Sequence, residues 1–224
     1  MAPALSIILL SLKVALLATV LLIPTGTVLG WILARKQFFG KTLLDGLINI
    51  PLVLPPVVTG YFLLVLLGPN GYVGHFLDLL GIRLAFTWYG AVIAAAVVSL
   101  PLLVRSVRVT IDAVDLKLEE AARTLRASET RIFFKITLPL AAHGVLAGSV
   151  LAFARALGEF GATIVFASNI QGETQTMPLA IFSYLNQVDG EEKARVLVLV
   201  AILIAYASII TNELLLRRLK RAES

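Results

Sequence analysis

Residues 105–137 read RSVRVTIDAVDLKLEEAARTLRASETRIFFKIT, the most polar stretch of the chain. It holds seven basic side chains (Arg105, Arg108, Lys117, Arg123, Arg126, Arg131 and Lys135) and five acidic ones (Asp112, Asp115, Glu119, Glu120 and Glu129). Its flanks are the opposite. Residues 84–104 and 138–166 are long apolar runs, and three more lie at 5–33, 47–67 and 196–216. Each reaches the roughly 20 residues that a helix needs to cross hydrocarbon. The expected fold is all-α and polytopic, with five transmembrane helices. The first and fourth runs exceed that length and must tilt, kink or protrude. Pro24-Thr25-Gly26 is the expected kink in the first.

Composition excludes the main alternatives. Hydrophobic residues make up 58% of the chain and charged ones 15%, with a mean hydropathy of +0.92. A soluble domain carries about a quarter charged residues, so this chain could not cover a water-facing surface. Disorder needs low hydrophobicity and high net charge. The absence of cysteine excludes disulfides, iron–sulfur clusters and thiolate zinc sites. The first run is not read as a secretory signal, because no positive charge precedes it and no short apolar region ends in a small-residue cleavage site.

The basic residues orient the helices. Of the 19 Lys and Arg, 14 fall on one side: Arg35, Lys36 and Lys41 after the first run, the seven of the long loop, and Arg217, Arg218, Lys220 and Arg221 in the tail. Arg83, Lys193 and Arg195 fall on the other, and Lys13 and Arg155 lie within apolar runs. The positive-inside rule puts the 14 in the cytoplasm, with the N-terminus outside and the C-terminus inside. The pI of about 9.7 is thus a topology signal, and no nucleic-acid partner is expected. No internal repeat is evident, which disfavours many secondary-transporter folds. Five helices are few to enclose a pathway, whereas a homodimer doubles them around a two-fold axis.

The long loop is patterned. Leu118, Ala121, Ala122 and Leu125 recur at i, i+3, i+4 and i+7, one face of a helix. Asp115 is placed to cap it. Ser128 is placed to cap a second short helix over 130–137, with Glu129 in its first turn and Pro139 beyond its end. Ala121-Ala122 would let another surface approach closely. Two readings stand: an amphipathic helix on lipid headgroups, or a knob that docks into a cytoplasmic partner.

At this point a family resemblance enters. Glu120-Ala121-Ala122, followed at the right spacing by Ile136, Leu138 and Pro139, resembles the EAA loop of ABC importer permeases. Arg126 stands where that pattern has glycine. A left-handed arginine there costs on the order of 1 kcal/mol. Three further stretches resemble the molybdate branch of the family: Pro51-Leu52-Val53-Leu54-Pro55-Pro56-Val57-Val58, residues 153–162 including Arg155, Gly158, Glu159 and Gly161, and Ser168-Asn169-Ile170-Gln171-Gly172-Glu173-Thr174. Sulfate permeases carry a string similar to Gly158–Ala162, so a sulfate or thiosulfate permease is the alternative within the family. A passive channel or membrane scaffold is the alternative outside it.

The resemblance implies a type I ABC importer permease fold, a single transmembrane permease domain over 1–224 with its coupling loop at about 108–137, in the bacterial inner membrane. It implies a homodimer translocating molybdate or tungstate by alternating access. It also implies a cytoplasmic ATPase dimer, which binds ATP and Mg, gripping Glu120, Ala121, Ala122, Leu125 and Arg126, and a periplasmic or surface molybdate-binding protein outside. No G-x-x-x-x-G-K-[ST] phosphate loop occurs in this chain, so no cofactor is expected on it and it is not read as an enzyme.

The polar and helix-breaking residues inside apolar runs carry paired readings. Arg155 and Glu159 stand at i and i+4; they pair structurally, or Arg155 attracts an oxyanion along the path. Gly158, Gly161 and Ala162 serve close packing or a hinge. Pro55 and Pro56 break the second run and serve as a packing kink or a gate. Lys13 is expected to snorkel to the outer interface. Asn169, Gln171, Thr174, Gln175 and Thr176 belong to an outer loop, as ordinary solvated residues or as transient donors to an oxyanion. Residues 177–185 are expected to form a short helix on the outer surface, touching the binding protein. His75 and His143 stand alone, without the partners of a metal site.

Overall fold

The computed structural model describes residues 4–214, and beyond them only the helical course of the chain from 2 to 222. The basic tail residues Arg217, Arg218, Lys220 and Arg221 lie outside the described side chains. Every regular element is a helix among the described residues. Three helices are long and apolar enough to cross a membrane: α1 (Ala2–Arg35), α5 (Trp88–Asp112) and α12 (Glu191–Ala222).

α5 is the central element and packs against both α1 and α9 (Ala142–Leu157). Its apolar window is 61% buried, against 11% for the described part of α12. Lipid tails are as apolar as leucine, so close packing rather than water avoidance must hold such helices together. Glycines supply it. A Cβ at Gly26 would stand 2.6 Å from Leu103, and one at Gly30 would stand 2.7 Å from Val107. From α9, a Cβ at Gly148 would meet the same Leu103 at 2.8 Å, and one at Gly144 would collide with Thr110. Two small-x-x-x-small pairs, 26/30 and 144/148, thus pack on adjoining faces of α5 and share Leu103. Ser106 adds a hydrogen bond, its hydroxyl donating to the Gly144 carbonyl at 2.8 Å.

α1 is one continuous helix through Pro24. The Gly26 contact with Leu103 holds the helix against α5 directly after the proline, and the Thr25 hydroxyl donates to the Leu21 carbonyl at 2.9 Å. At about 1.5 Å per residue its 34 residues exceed the hydrocarbon thickness, so its last turn reaches the polar layer.

The second and fourth apolar runs are not single helices. α2 (Lys41–Val53) and α3 (Pro56–Leu67) meet at 119° across Leu54-Pro55. After α4 (Tyr72–Leu79), α5 and α6 (Leu116–Thr124), the chain forms α7 (Glu129–Ile132), a π-helical turn (Phe133–Thr137) and α8 (Leu138–Leu140). This continuous segment corrects the expected helix over 130–137. Pro139 sits in the first turn of α8, where it needs no amide partner, so the break falls at Ala141 with a 70° bend into α9. A second interruption at Gly158–Phe160 separates α9 from α10 (Gly161–Phe166). Counting each bent pair as one span gives up to five.

The expected short helix is present as α11 (Met177–Leu185) but is not simply an outer-surface element. Met177, Leu179 and Ala180 are buried, and the Met177 amide donates to Ser11 Oγ of α1 at 2.7 Å. Its exposed face is Phe182 and Leu185. Lys13 is exposed and reaches the first residue of α5. Its ammonium lies 3.4 Å from the centre of the Trp88 ring, a cation–π contact that holds it beside α5.

Candidate coupling loop and translocation elements

The loop is built from its caps. Asp115 accepts from the Lys117 amide at 3.0 Å and starts α6, as its side chain predicts. Ser128 accepts from the Arg131 amide at 3.3 Å and starts α7. Between them Arg126 takes φ 59°, the left-handed conformation read from the sequence pattern. The Ala127 amide then reaches back to the Ala122 carbonyl at 3.1 Å, so the arginine makes the turn that glycine makes more cheaply.

α6 shows a polar-layer surface. Glu120, Ala121 and Leu125 are exposed, and Ala122 is half-buried. Leu116 and Leu118 are about half exposed, and Leu125 is 83% exposed. Among the described residues, Leu116, Leu118 and Leu125 of this face are left largely uncovered.

The opposite side of α6 is anchored by a residue that sequence reasoning missed. Glu119 is only 1% exposed. Its Oε1 accepts from Arg35 Nε at 2.9 Å and from the Thr137 hydroxyl at 2.9 Å. Arg123 approaches its other oxygen at 3.5 Å. Arg35 also donates to the Val114 carbonyl at 2.9 Å. Arg35 is the last residue of α1, where a cation suits the helix dipole. The network continues outward. Arg123 Nε donates to Glu129 at 2.7 Å, and Lys36 donates to the same carboxylate at 3.1 Å. The hydrogen bond to Glu129 raises the Arg123 guanidinium above its ordinary value. Trp31 and Phe133 pack beneath, with ring centroids 5.2 Å apart. α6, α7 and the π turn are thus tied to the end of α1. Glu119 stands 84 positions from Arg35, so no local spacing rule could have joined them.

The translocation candidates fall into two groups. Pro55, Pro56 and Gly161 come together. Pro56 begins α3 and Gly161 begins α10, and a Cβ on Gly161 would stand 2.9 Å from Pro56 Cβ and 3.1 Å from Val57 N. A Cβ on Gly60 would likewise stand 2.7 Å from the Ala162 carbonyl oxygen. The two helix breaks, far apart in sequence, therefore lie against each other.

Arg155, Gly158 and Glu159 form the second group. Arg155 Nη1 lies 2.6 Å from Glu159 Oε2, and the carboxylate is 1% exposed. Its other oxygen accepts from the Ala162 amide at 2.7 Å, capping α10. One oxygen is thus hydrogen-bonded within the chain, while the other has only the charge contact with Arg155 and no hydrogen bond of its own. Gly158 differs from the packing reading. A Cβ there would meet nothing closer than 3.8 Å, so no neighbour requires a glycine at this position.

The outer segment is not ordinary solvated loop. Thr174, Gln175 and Thr176 are at most 5% exposed. Thr174 Oγ1 accepts from the Ile170 amide and donates to the Ser168 carbonyl. Gln175 donates to Asn169 Oδ1 at 3.0 Å, and Asn169 donates to Ser183 at 2.7 Å. These bonds tie the segment together and to α11, whereas the buried Thr176 hydroxyl has no hydrogen-bond partner among the described residues. Gln171, in contrast, is exposed. Among the described residues, no group of three His, Asp or Glu side chains is arranged to hold a metal ion.

Comparison with known proteins points in one direction. Residues 26–222 match the family described as "Binding-protein-dependent transport system inner membrane component". The "Molybdenum transport system permease protein ModB" of Haemophilus influenzae is 51% identical over 213 residues, covering 95% of this chain and 93% of that one. The "Sulfate transport system permease protein CysT" of Salmonella typhimurium is 41% identical over 164 residues, covering 73% of this chain and 59% of that one. Among solved structures, a chain of a bacterial ABC transporter involved in import of the acidic polysaccharide alginate superposes with a TM-score of 0.75 at 16% identity, over 96% of this chain and 79% of that one. At that identity the likeness concerns the fold alone.

Proposed function

The chain belongs to the inner-membrane components of binding-protein-dependent transport systems, and from that premise we propose that it is the permease subunit of an ABC importer for molybdate or the closely similar tungstate. One observation carries the substrate: 51% identity, spread over nearly the full length of both chains, to a molybdenum transport permease. The sulfate relative is less similar and aligns over a smaller share of both chains, so sulfate is the second choice.

The protein is a multi-pass inner-membrane protein. It folds as one permease domain with five spans, each bent helix pair counting as one, the N-terminus outside and the C-terminus in the cytoplasm. The ion pairs support that arrangement, because Arg35–Glu119, Lys36–Glu129 and Arg108–Asp45 draw the basic loop after α1 and the long basic loop to the same end. Two copies form the pathway by pairing around a two-fold axis. Energy comes from a separate cytoplasmic ATPase dimer that holds ATP and Mg, and this chain hydrolyses nothing itself. A molybdate-binding protein delivers the anion from outside.

Coupling runs through the exposed face of α6. Glu120, Ala121, Ala122, Leu125 and Arg126 form the surface that the ATPase grips. The Glu119 clamp carries the displacement into α1, and the contact of α3 with α10 at Pro56 and Gly161 opens or closes the path. The test is ATPase activity of the reconstituted complex with binding protein loaded with molybdate or with sulfate. Stimulation by the molybdate-loaded form alone is expected; stimulation by sulfate overturns the substrate. Glu120→Lys is expected to abolish uptake while the chain still inserts, and uptake at the wild-type rate would remove the docking assignment.

A further inference from the structure

A polar cavity of about 310 Å³ lies between α2 and α5, apart from both the coupling face and the helix breaks. Asp45 and Asn49 line it from α2; Pro101, Val104, Arg105 and Arg108 line it from α5. On each helix the spacing places these residues on one face. The cavity sits toward the loop end of α5, the end that carries the clamp.

Its charges are unevenly satisfied. Arg108 Nη1 donates to Asp45 Oδ2 at 2.8 Å, and Asp112 stands 3.9 Å from Arg108 Nε. Asn49 donates to the other oxygen of Asp45 at 2.9 Å and to the Asp45 carbonyl at 2.8 Å. Asp45 is therefore held on both oxygens. Arg105 is exposed, and no carboxylate pairs with it among the described residues. The cavity thus offers one free guanidinium beside a second that is already matched.

We propose that this cavity is a low-affinity site for a tetrahedral oxyanion at the inner mouth of the translocation path, with Arg105 as its main ligand. A guanidinium presents two parallel N–H donors that fit two oxygens of such an anion. Because Arg105 faces water, the bond is weak and screened, which suits a site that must release its anion. Arg108 contributes its charge while Asp45 competes for its donors, so a departing anion leaves Arg108 already paired. The proposal rests on the importer reading. The same chemistry would hold the phosphate of a lipid headgroup, and the experiment separates the two sources.

The test uses the complete complex with its ATPase, nucleotide-free and without binding protein, in delipidated detergent solution at low ionic strength. Labelled molybdate binding is measured by equilibrium dialysis for wild type, Arg105→Lys and Arg105→Gln. Any sites on the ATPase are common to all three, so the difference reports the cavity. Phospholipid phosphorus retained per chain is measured on the same samples. Expected for the transported anion is a loss of affinity of about three- to fivefold in Arg105→Gln, partly restored in Arg105→Lys, with retained lipid unchanged. Loss of about one phospholipid per chain in Arg105→Gln, with molybdate binding unchanged, keeps the oxyanion site and assigns it to a headgroup. If neither quantity depends on Arg105, the site is refuted. Uptake by wild type into proteoliposomes is measured separately: failure there refutes the importer reading, whereas uptake combined with Arg105-independent binding refutes only the site.

Discussion

Glu119 is the residue whose removal should separate ATP hydrolysis from transport. It is buried to 1% and holds Arg35 and Thr137 on one oxygen at 2.9 Å each. Glu119→Ala strands the Arg35 guanidinium, itself only 8% exposed. Removing one partner of a buried pair costs about 3–5 kcal/mol. The Val114 carbonyl still accepts from Arg35, and the polar layer admits water, so the lower end, about 3 kcal/mol, is the expected cost. Each 1.4 kcal/mol is roughly tenfold in a population, so the docked arrangement of α6 on α1 should fall by about a hundredfold relative to the released one. The assay is the ratio of anion taken up to ATP hydrolysed in proteoliposomes. Glu119→Ala should retain assembly with the ATPase, because Glu120, Ala121 and Leu125 are untouched, but lose most uptake per ATP. A cycle with Arg35→Met should show that the two changes are not additive, with a coupling of about 2 kcal/mol by thermal unfolding in detergent. Wild-type stoichiometry in Glu119→Ala, or additivity within about 0.5 kcal/mol, would refute the clamp.

Three further outcomes follow from the geometry. Arg126→Gly relieves a left-handed arginine (φ 59°) and should raise the stability of the complex by about 1 kcal/mol; a lower thermal midpoint would show that the Arg126 side chain makes a compensating contact with the ATPase. Gly161→Ala drives a Cβ to 2.9 Å from Pro56 and should cost about 1–3 kcal/mol, whereas Gly158→Ala, with nothing nearer than 3.8 Å, should cost less than about 0.5 kcal/mol; equal effects on folded yield would refute the assigned α3–α10 contact. Arg155→Met leaves Glu159 buried without its ion-pair partner and should destabilise the fold more than Arg155→Met combined with Glu159→Gln, which still offers an acceptor to the Ala162 amide; the reverse order, read from midpoints in detergent, would mean that the pair is not structural.

Much of this protein is legible along the chain because its determinants are local. Apolar length marks the spans, since hydrocarbon thickness is a fixed ruler. Asp115 and Ser128 announce two helix starts, since a cap acts two or three residues away. The turn at Arg126 follows from a spacing pattern in which glycine is usual. Arg155 and Glu159 pair because four residues make one turn. The tertiary structure decides what depends on distant partners. Gly26, just after Pro24 in one continuous helix, packs on Leu103, which lies 77 positions away. The second and fourth runs bend by 119° and 70°, which apolarity alone does not encode. Thr174 and Gln175 read as polar loop yet are buried, because they find partners in Asn169 and in the segment's own backbone. Glu119 reads as one more loop charge until Arg35 and Thr137 are brought against it. A carboxylate beside the family motif is spelled out in sequence, but a buried ion pair exists only once two distant segments exclude water around it.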